Sequence, residues 1–321
     1  MTPGSVKGHM TGRFIGVDVG GTKTAVAVLD GTVMTAPVTQ PTDTSGAATL
    51  IAQLVEAVTT AGPAVAVGVA VPSVVDWESG SIRSSVNIPL QDVPLRAELR
   101  ERLGVPVYID NDATCAALAE AYGDDGRLVA RNLVMFTIGT GVGGGIVIGG
   151  RVMRGATGAA AELGHTIVGA DLRRAPFADA DDYPQPGSLE SLASGSALNE
   201  IAVEHSLQPG RVIEAARAGD ADACAAIELL GRRLGIGIAN AINTFDPELV
   251  VVGGGVSAAG EMLLGPAREE AFRYVLTGVG TRTEIRRARY GPLAGVRGAA
   301  LLAGQELESD RAEEARKAAA R

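Results

Sequence analysis

A chain of 321 residues with 46% hydrophobic content is long enough to bury two cores and too apolar for disorder. Its formal net charge of −9, with no dense Lys/Arg cluster before the C-terminal tail, argues against a nucleic-acid partner. No apolar run of about 18 residues escapes a charge or a glycine, and Met1–Gly12 has no secretory core; its Gly8-His9-Met10 reads as a tag junction. Two cysteines, Cys115 and Cys224, are too few for a disulfide framework, so a cytoplasmic location is expected.

Glycine is the informative residue. There are 43, about 13% against a usual level of roughly 7%, and they cluster beside predicted strands, where they let a ligand or a second backbone approach. Phe14 to Val19 reads as a strand, Gly20-Gly21-Thr22 as its turn and Thr24 to Leu29 as the return strand. Leu50, Ile51, Leu54, Val55 and Val58 have helical spacing within Ala47 to Thr60. Val65 to Val71 reads as a buried strand, Leu95 to Leu103 as a helix and Val105 to Ile109 as a strand. Asn111-Asp112 offers a cap for a helix from Ala113 to Tyr122.

The pattern then recurs. Leu133 to Ile138 is a predicted strand, the seven residues from Gly139 to Gly145 its turn, and Ile146 to Gly149 its return. Asp222 to Thr244 reads as a long helix, Glu248 to Val252 as a strand entering Gly253-Gly254-Gly255, and Glu261 to Val275 as a helix. A closing helix is expected from Ala299 to Glu308 and through the charged tail. Two halves that begin alike suggest an internal duplication.

Backbone N–H groups in a glycine turn can point at phosphate oxygens with no Cβ in the way. In the first turn, Gly20 and Gly21 supply the backbone, Thr22 and Lys23 add donors, and Asp18 is positioned to hold Mg²⁺ through water. Alone, this segment equally well describes an ordinary hairpin. Gly139, Thr140 and Gly141 form a second such turn. Gly253, Gly254 and Gly255 stand at a strand's carboxyl end, where ligands collect in open α/β sheets. Three such elements in this order point to a triphosphate.

Longer segments carry a family resemblance: DVGGTKT, VAVPSVVD, SVNIPL, IDNDATCAALAEAYG, TIGTGVGGGIVIGGRVMRGATGAAAELGH, SLESLASGSAL and NTFDPELVVVGGGV. The chain resembles the ROK family of repressors and sugar kinases, among them glucokinases and N-acylhexosamine kinases, over roughly Phe14 to Gln305. The resemblance implies an α/β, actin-like ATPase (ribonuclease H-like) duplicated fold, two lobes with a central cleft. The expected lobes are 13–112 plus 297–321, and 113–296. It implies ATP and Mg²⁺ as cofactors, a hexose or hexose-like polyol as substrate, and a homodimer. Asp112 takes the role of general base, and Asn87, Asn111, Glu162, His165 and Glu190 surround the sugar hydroxyls. An N-acylhexosamine or C7-cyclitol acceptor, and polyphosphate as donor, remain open. A sugar-responsive regulator is the reading from another class, disfavoured because no DNA-binding domain is expected ahead of Asp18.

The chain departs from the family pattern twice. The family's zinc site needs three cysteines after the Gly-His pair, but none lies between Cys115 and Cys224, and Ser188 stands where the last would be. No zinc site is therefore expected, and Asp179, Asp181 and Asp182 read as a solvated acidic loop. Ser73 also replaces a glycine expected beside the sugar.

Overall fold

The computed structural model describes residues 12–85, 87–169 and 183–320. The acidic loop of Asp179, Asp181 and Asp182 lies outside them. Arg13–Val19 (β1) and Lys23–Asp30 (β2) form the first hairpin, followed by Val33–Met34 (β3) and Val38–Pro41 (β4). Ala47–Ala61 (α1) buries Leu50, Ile51, Leu54 and Val58, the helical stripe seen in the sequence. Ala66–Val71 (β5) is buried at every position, as suits a strand covered on both faces. Ser73–Asp76 (β6) and Ser81–Ser85 (β7) make a separate two-stranded ribbon. Leu95–Leu103 (α2), Val107–Asn111 (β8) and Asp112–Ala121 (α3) complete this stretch.

Leu133–Ile138 (β9) and Val142–Ile148 (β10) form the second hairpin, with Arg151–Val152 (β11) after it. Leu189–Ala193 (α4), Gly195–Glu204 (α5), Val212–Arg217 (α6) and the long Ala221–Phe245 (α7) follow. Leu249–Gly253 (β12), Glu261–Tyr274 (α8), Glu284–Arg287 (β13) and Ala294–Ala319 (α9) finish the chain.

Two compact units result. The first runs to Val129 and takes in Gly150–Ala160 and the chain from Pro292; the second comprises Ala130–Gly149 and Ala161–Gly291. The first unit takes in α9, as the expected lobes had it, but also α3 and Gly150–Ala160, which were expected in the other lobe. Cys115 and Leu118 of α3 are buried with Phe14, Tyr108 and Ala299–Ala303. The helix α3 is half alanine and buried all round, so it has no apolar stripe whose direction could be read from sequence. The helix α9 also starts earlier than its charged tail suggested, because Val296 and Ala299–Ala303 are buried. Its backbone lies so close to the sheet that a Cβ at Gly68 would overlap the Ala299 carbonyl oxygen.

The first sheet has the order β3-β2-β1-β5-β8, with β4 on β2; β1 pairs antiparallel with β2 and parallel with β5. In the second, β10 pairs antiparallel with β9, which is parallel to β12, which is parallel to β13. A glycine-turned hairpin leading into parallel strands thus occurs twice, the signature of a duplicated actin-like, ribonuclease H-like α/β fold. Among the described residues no helix is long and apolar enough to cross a membrane.

One predicted turn is shorter than expected. Gly143–Gly145 lie within β10, paired with Met135–Thr137, so the second turn is Gly139–Gly141 alone. Glycine serves another purpose there: a Cβ at Gly144 would overlap the Ala161 carbonyl oxygen and press on Leu163. The bare strand lets the segment carrying Glu162 and His165 lie directly on it.

Candidate active site

In the first unit, Asp18 is the penultimate residue of β1, and the turn closes with the Gly20 N–H donating to the Lys23 carbonyl at 2.9 Å. Thr42 braces it: its hydroxyl donates to the Gly20 carbonyl at 2.7 Å and its N–H to the Thr22 carbonyl at 3.1 Å. The Asp18 carboxylate sits over Gly295 in the first turn of α9, where a Cβ would overlap it. Burial lifts Asp18 from an ordinary 3.8 to about 7; the Asp112 charge adds to the rise and Lys23 opposes it. The two carboxylates and the lysine therefore share one electrostatic neighbourhood.

Asp112 owes its place to the β8–α3 junction. Asn111 is extended and caps α3, its Oδ1 accepting from the N–H groups of Ala113 at 2.9 Å and Thr114 at 3.2 Å. The capping duty is not Asn111's alone, since Asp112 Oδ1 also accepts from the Ala113 N–H at 2.8 Å. Only the amide Nδ2 of Asn111 faces elsewhere, 3.5 Å from the Ser73 carbonyl. Ser73 is buried and its hydroxyl donates to Ser85 at 3.0 Å, which donates to the Ile88 carbonyl at 2.7 Å. That pair of serines braces the segment carrying Asn87, which is exposed and lies against Gly21.

In the second unit, the Gly139 N–H donates to the Gly141 carbonyl at 2.9 Å. The start of α5 holds this turn from behind: the Gly195 N–H donates to the Gly139 carbonyl at 2.8 Å, and the Ser196 N–H to the Thr140 carbonyl at 3.2 Å. Beside it opens a cavity of about 400 Å³, lined by Gly139, Thr140, Ser196, Asn199, Val212 and Gly255 among others. Its size and mixed lining suit a nucleoside. Gly253 closes β12, and Gly254 and Gly255 follow at the strand's carboxyl end. Gly195, Ser196, Asn199 and Val212 line this cavity and were not among the residues expected there. The signal was Ser194-Gly195-Ser196, a cap and a small-residue helix start, with the Ser194 hydroxyl accepting from the Ala197 N–H at 3.1 Å.

Of the expected sugar-contacting residues in this unit, Glu162 precedes a short 3-10 turn, Leu163–His165, and His165 ends it; both are exposed, their side chains 4.0 Å apart. Glu190 has a backbone partner that sequence did not foresee: its Oε2 accepts from the Val142 N–H at 2.7 Å, fixing the second turn. Ser188, in the place of a zinc cysteine, is buried and caps α4, accepting from the Ser191 N–H at 3.2 Å. The His165 ring instead meets Tyr183 edge-on at 5.3 Å. Among the described residues no cluster of three His, Cys, Asp or Glu side chains could hold a metal.

The fold and these two turns define a phosphate-handling protein of the actin-like class. The ROK family model matches residues 14–306, and the chain belongs to that family. It is 33% identical to a glucokinase of Halalkalibacterium halodurans, covering 92% of this chain and 96% of that protein. Among solved structures it resembles a ROK hexokinase of Thermus thermophilus, with a TM-score of 0.77 at 35% identity over 92% of this chain and 99% of that one. A Streptomyces griseus ROK glucokinase in complex with glucose and AMPPNP matches with a TM-score of 0.73 at 31% identity, over 92% of this chain and all of that one.

Proposed function

We propose that this glucokinase-like sugar kinase transfers the γ-phosphoryl group of ATP to a primary hydroxyl of a hexose, with Asp112 as the general base. The observation that carries the proposal is that Asp112, held at the start of α3 by the Ala113 N–H, lies near enough to Asp18 beside the first glycine turn for its charge to raise that carboxyl. Phosphoryl transfer asks little covalent chemistry of a protein; it needs a positioned alcohol, a proton acceptor and neutralised phosphate charge. Asp112, fixed at the start of α3, would take the hydroxyl proton as the oxygen attacks phosphorus. Gly20, Gly21, Thr22 and Lys23, together with Gly139, Thr140 and Gly141, would offer donors to the phosphates. Gly253–Gly255 and the cavity beside them would take the nucleoside.

Asn87, Asn111, Glu162, His165 and Glu190 would read the sugar hydroxyls. Asn111 and Glu190 would each do so with the atoms left over from their backbone bonds. Mg²⁺ fits this chain because Asp18 is a carboxylate whose charge its surroundings do not balance. Bound with ATP, the ion would neutralise phosphate charge, and Asp18 would hold it through water. A cytoplasmic homodimer completes the reading, and the acidic net charge of −9 speaks against a nucleic-acid partner.

A coupled ADP-release assay over glucose, mannose, N-acetylated hexosamines, fructose and cyclitols tests it. Turnover is expected to be highest with a hexose. A chain that releases ADP with none of these acceptors, or only with a cyclitol, would refute the hexose assignment.

A further inference from the structure

Asp112 is held by a strand whose own anchor has no part in the chemistry described so far. Two residues before it, Asp110 is 2% exposed at the buried end of β8. Its two oxygens point different ways: Oδ1 accepts from the Asn111 N–H at 2.9 Å, and Oδ2 accepts from Arg154 Nε at 2.7 Å. Arg154 reaches on to Glu306 of α9, donating from its second nitrogen at 2.9 Å, and its guanidinium lies over the Trp77 ring at 5.3 Å. Arg154 is itself mostly buried, with its side chain 15% exposed.

A surface ion pair would call for no explanation, but this one is buried, and a buried pair is destabilising unless its geometry offsets the lost hydration. Burial alone would weaken the charge on Arg154, yet Asp110 and Glu306 outweigh it and hold the guanidinium firmly protonated. Burial pushes the Asp110 carboxyl up against the pull of Arg154. Two carboxylates thus converge on one guanidinium, whose planar fork fixes direction as well as charge. The fixed direction ends on the peptide N–H of Asn111, the residue that caps α3 and precedes Asp112.

We infer that Arg154 is a positioning residue for phosphoryl transfer, acting through Asp110 and the Asn111 peptide to set the position of the Asp112 carboxylate. The inference rests on Asp112 being the base. It gives a function to the segment Gly150–Ala160, which follows the second hairpin in sequence but folds into the first unit. Arg154 acts at one remove, by keeping the β8–α3 junction from shifting, and a shift of about 1 Å in a reacting group costs on the order of 10² in rate.

The test uses steady-state kinetics of the full chain with glucose and MgATP, beside melting curves. Arg154→Met should lower kcat by about tenfold to a hundredfold while both KM values stay within about threefold. Because removing one partner of a buried pair can unfold the protein, Asp110→Asn/Arg154→Met is made as well. It removes both charges, so its melting temperature should return toward that of the parent while its kcat stays low. Arg154→Lys, which keeps the charge but loses the fork, should recover part of kcat. A double variant with parental kcat, or KM values that rise in step with the loss of kcat, would overturn the assignment. Asp112→Asn is measured in parallel: if it turns over like the parent, the base assignment itself fails. If it is inactive while Arg154→Met is unimpaired, only the role of Arg154 fails.

Discussion

The two glycine hairpins are built alike and furnished differently. Asp18 is the penultimate residue of the first strand, before Val19, where Thr137 stands before Ile138 in the second. The first turn closes from Gly20 to Lys23, the second from Gly139 to Gly141, one residue tighter. Around the first lie two carboxylates and a lysine; behind the second lie the start of α5 and the Glu190 carboxylate, all bonded to backbone. The same glycine turn thus occurs twice in different surroundings, and on the proposed reading the first serves charge and proton transfer while the second serves nucleotide shape.

The largest expected effect tests the charged side. Asp112→Asn should cut kcat by at least about 10² while sugar binding, followed calorimetrically, is retained. Turnover equal to the parent's would strip Asp112 of its role and leave the first hairpin as a plain phosphate clamp.

The second effect tests the nucleotide side. A Cβ at Gly195 would stand 2.6 Å from the Gly139 carbonyl oxygen, closer than real contacts allow. Gly195→Ala should therefore displace the second turn and raise the KM for ATP by about tenfold, leaving the sugar KM within about twofold. A sugar KM that rises as much would show that the two turns are not so divided in task.

A third, smaller effect separates the hairpins by pH. Burial lifts Asp18 to about 7, so the folded state holds its proton more tightly than the unfolded chain does. The linked stability is complete below the ordinary 3.8 and is lost as pH rises through 7. Without nucleotide or Mg²⁺, Asp18→Asn should melt several degrees higher than the parent at pH 8, the gap closing by pH 4. Thr137→Ala, at the matching place in the second hairpin, should show no such pH dependence in melting curves.

The smallest effect expected is none. With Ser188 capping α4 and Tyr183 beside His165, chelation should leave the melting temperature within about 1 °C, and metal analysis should find no stoichiometric zinc. One zinc per chain would mean that the loop holds metal by other residues.

Sequence alone determined the two hairpins, the parallel strands after them, the long helix before Gly253 and the place of Asp112. Each is written in a local code: alternation, helical spacing, a capping residue or a glycine turn acts over a few neighbours. Local code also showed the missing cysteines, since a ligand that is absent needs no fold to reveal it.

Tertiary structure alone decided which core α3 joins, because a helix buried on every side offers no stripe to orient it. It assigned Gly143–Gly145 to a strand, since what they make room for lies some 18 residues further on in Ala161 and Leu163. It also brought Arg154 to Asp110 across 44 residues and Glu190 to Val142 across 48. Such pairs form where the folded backbone brings distant side chains together, and no window of neighbouring residues contains that information.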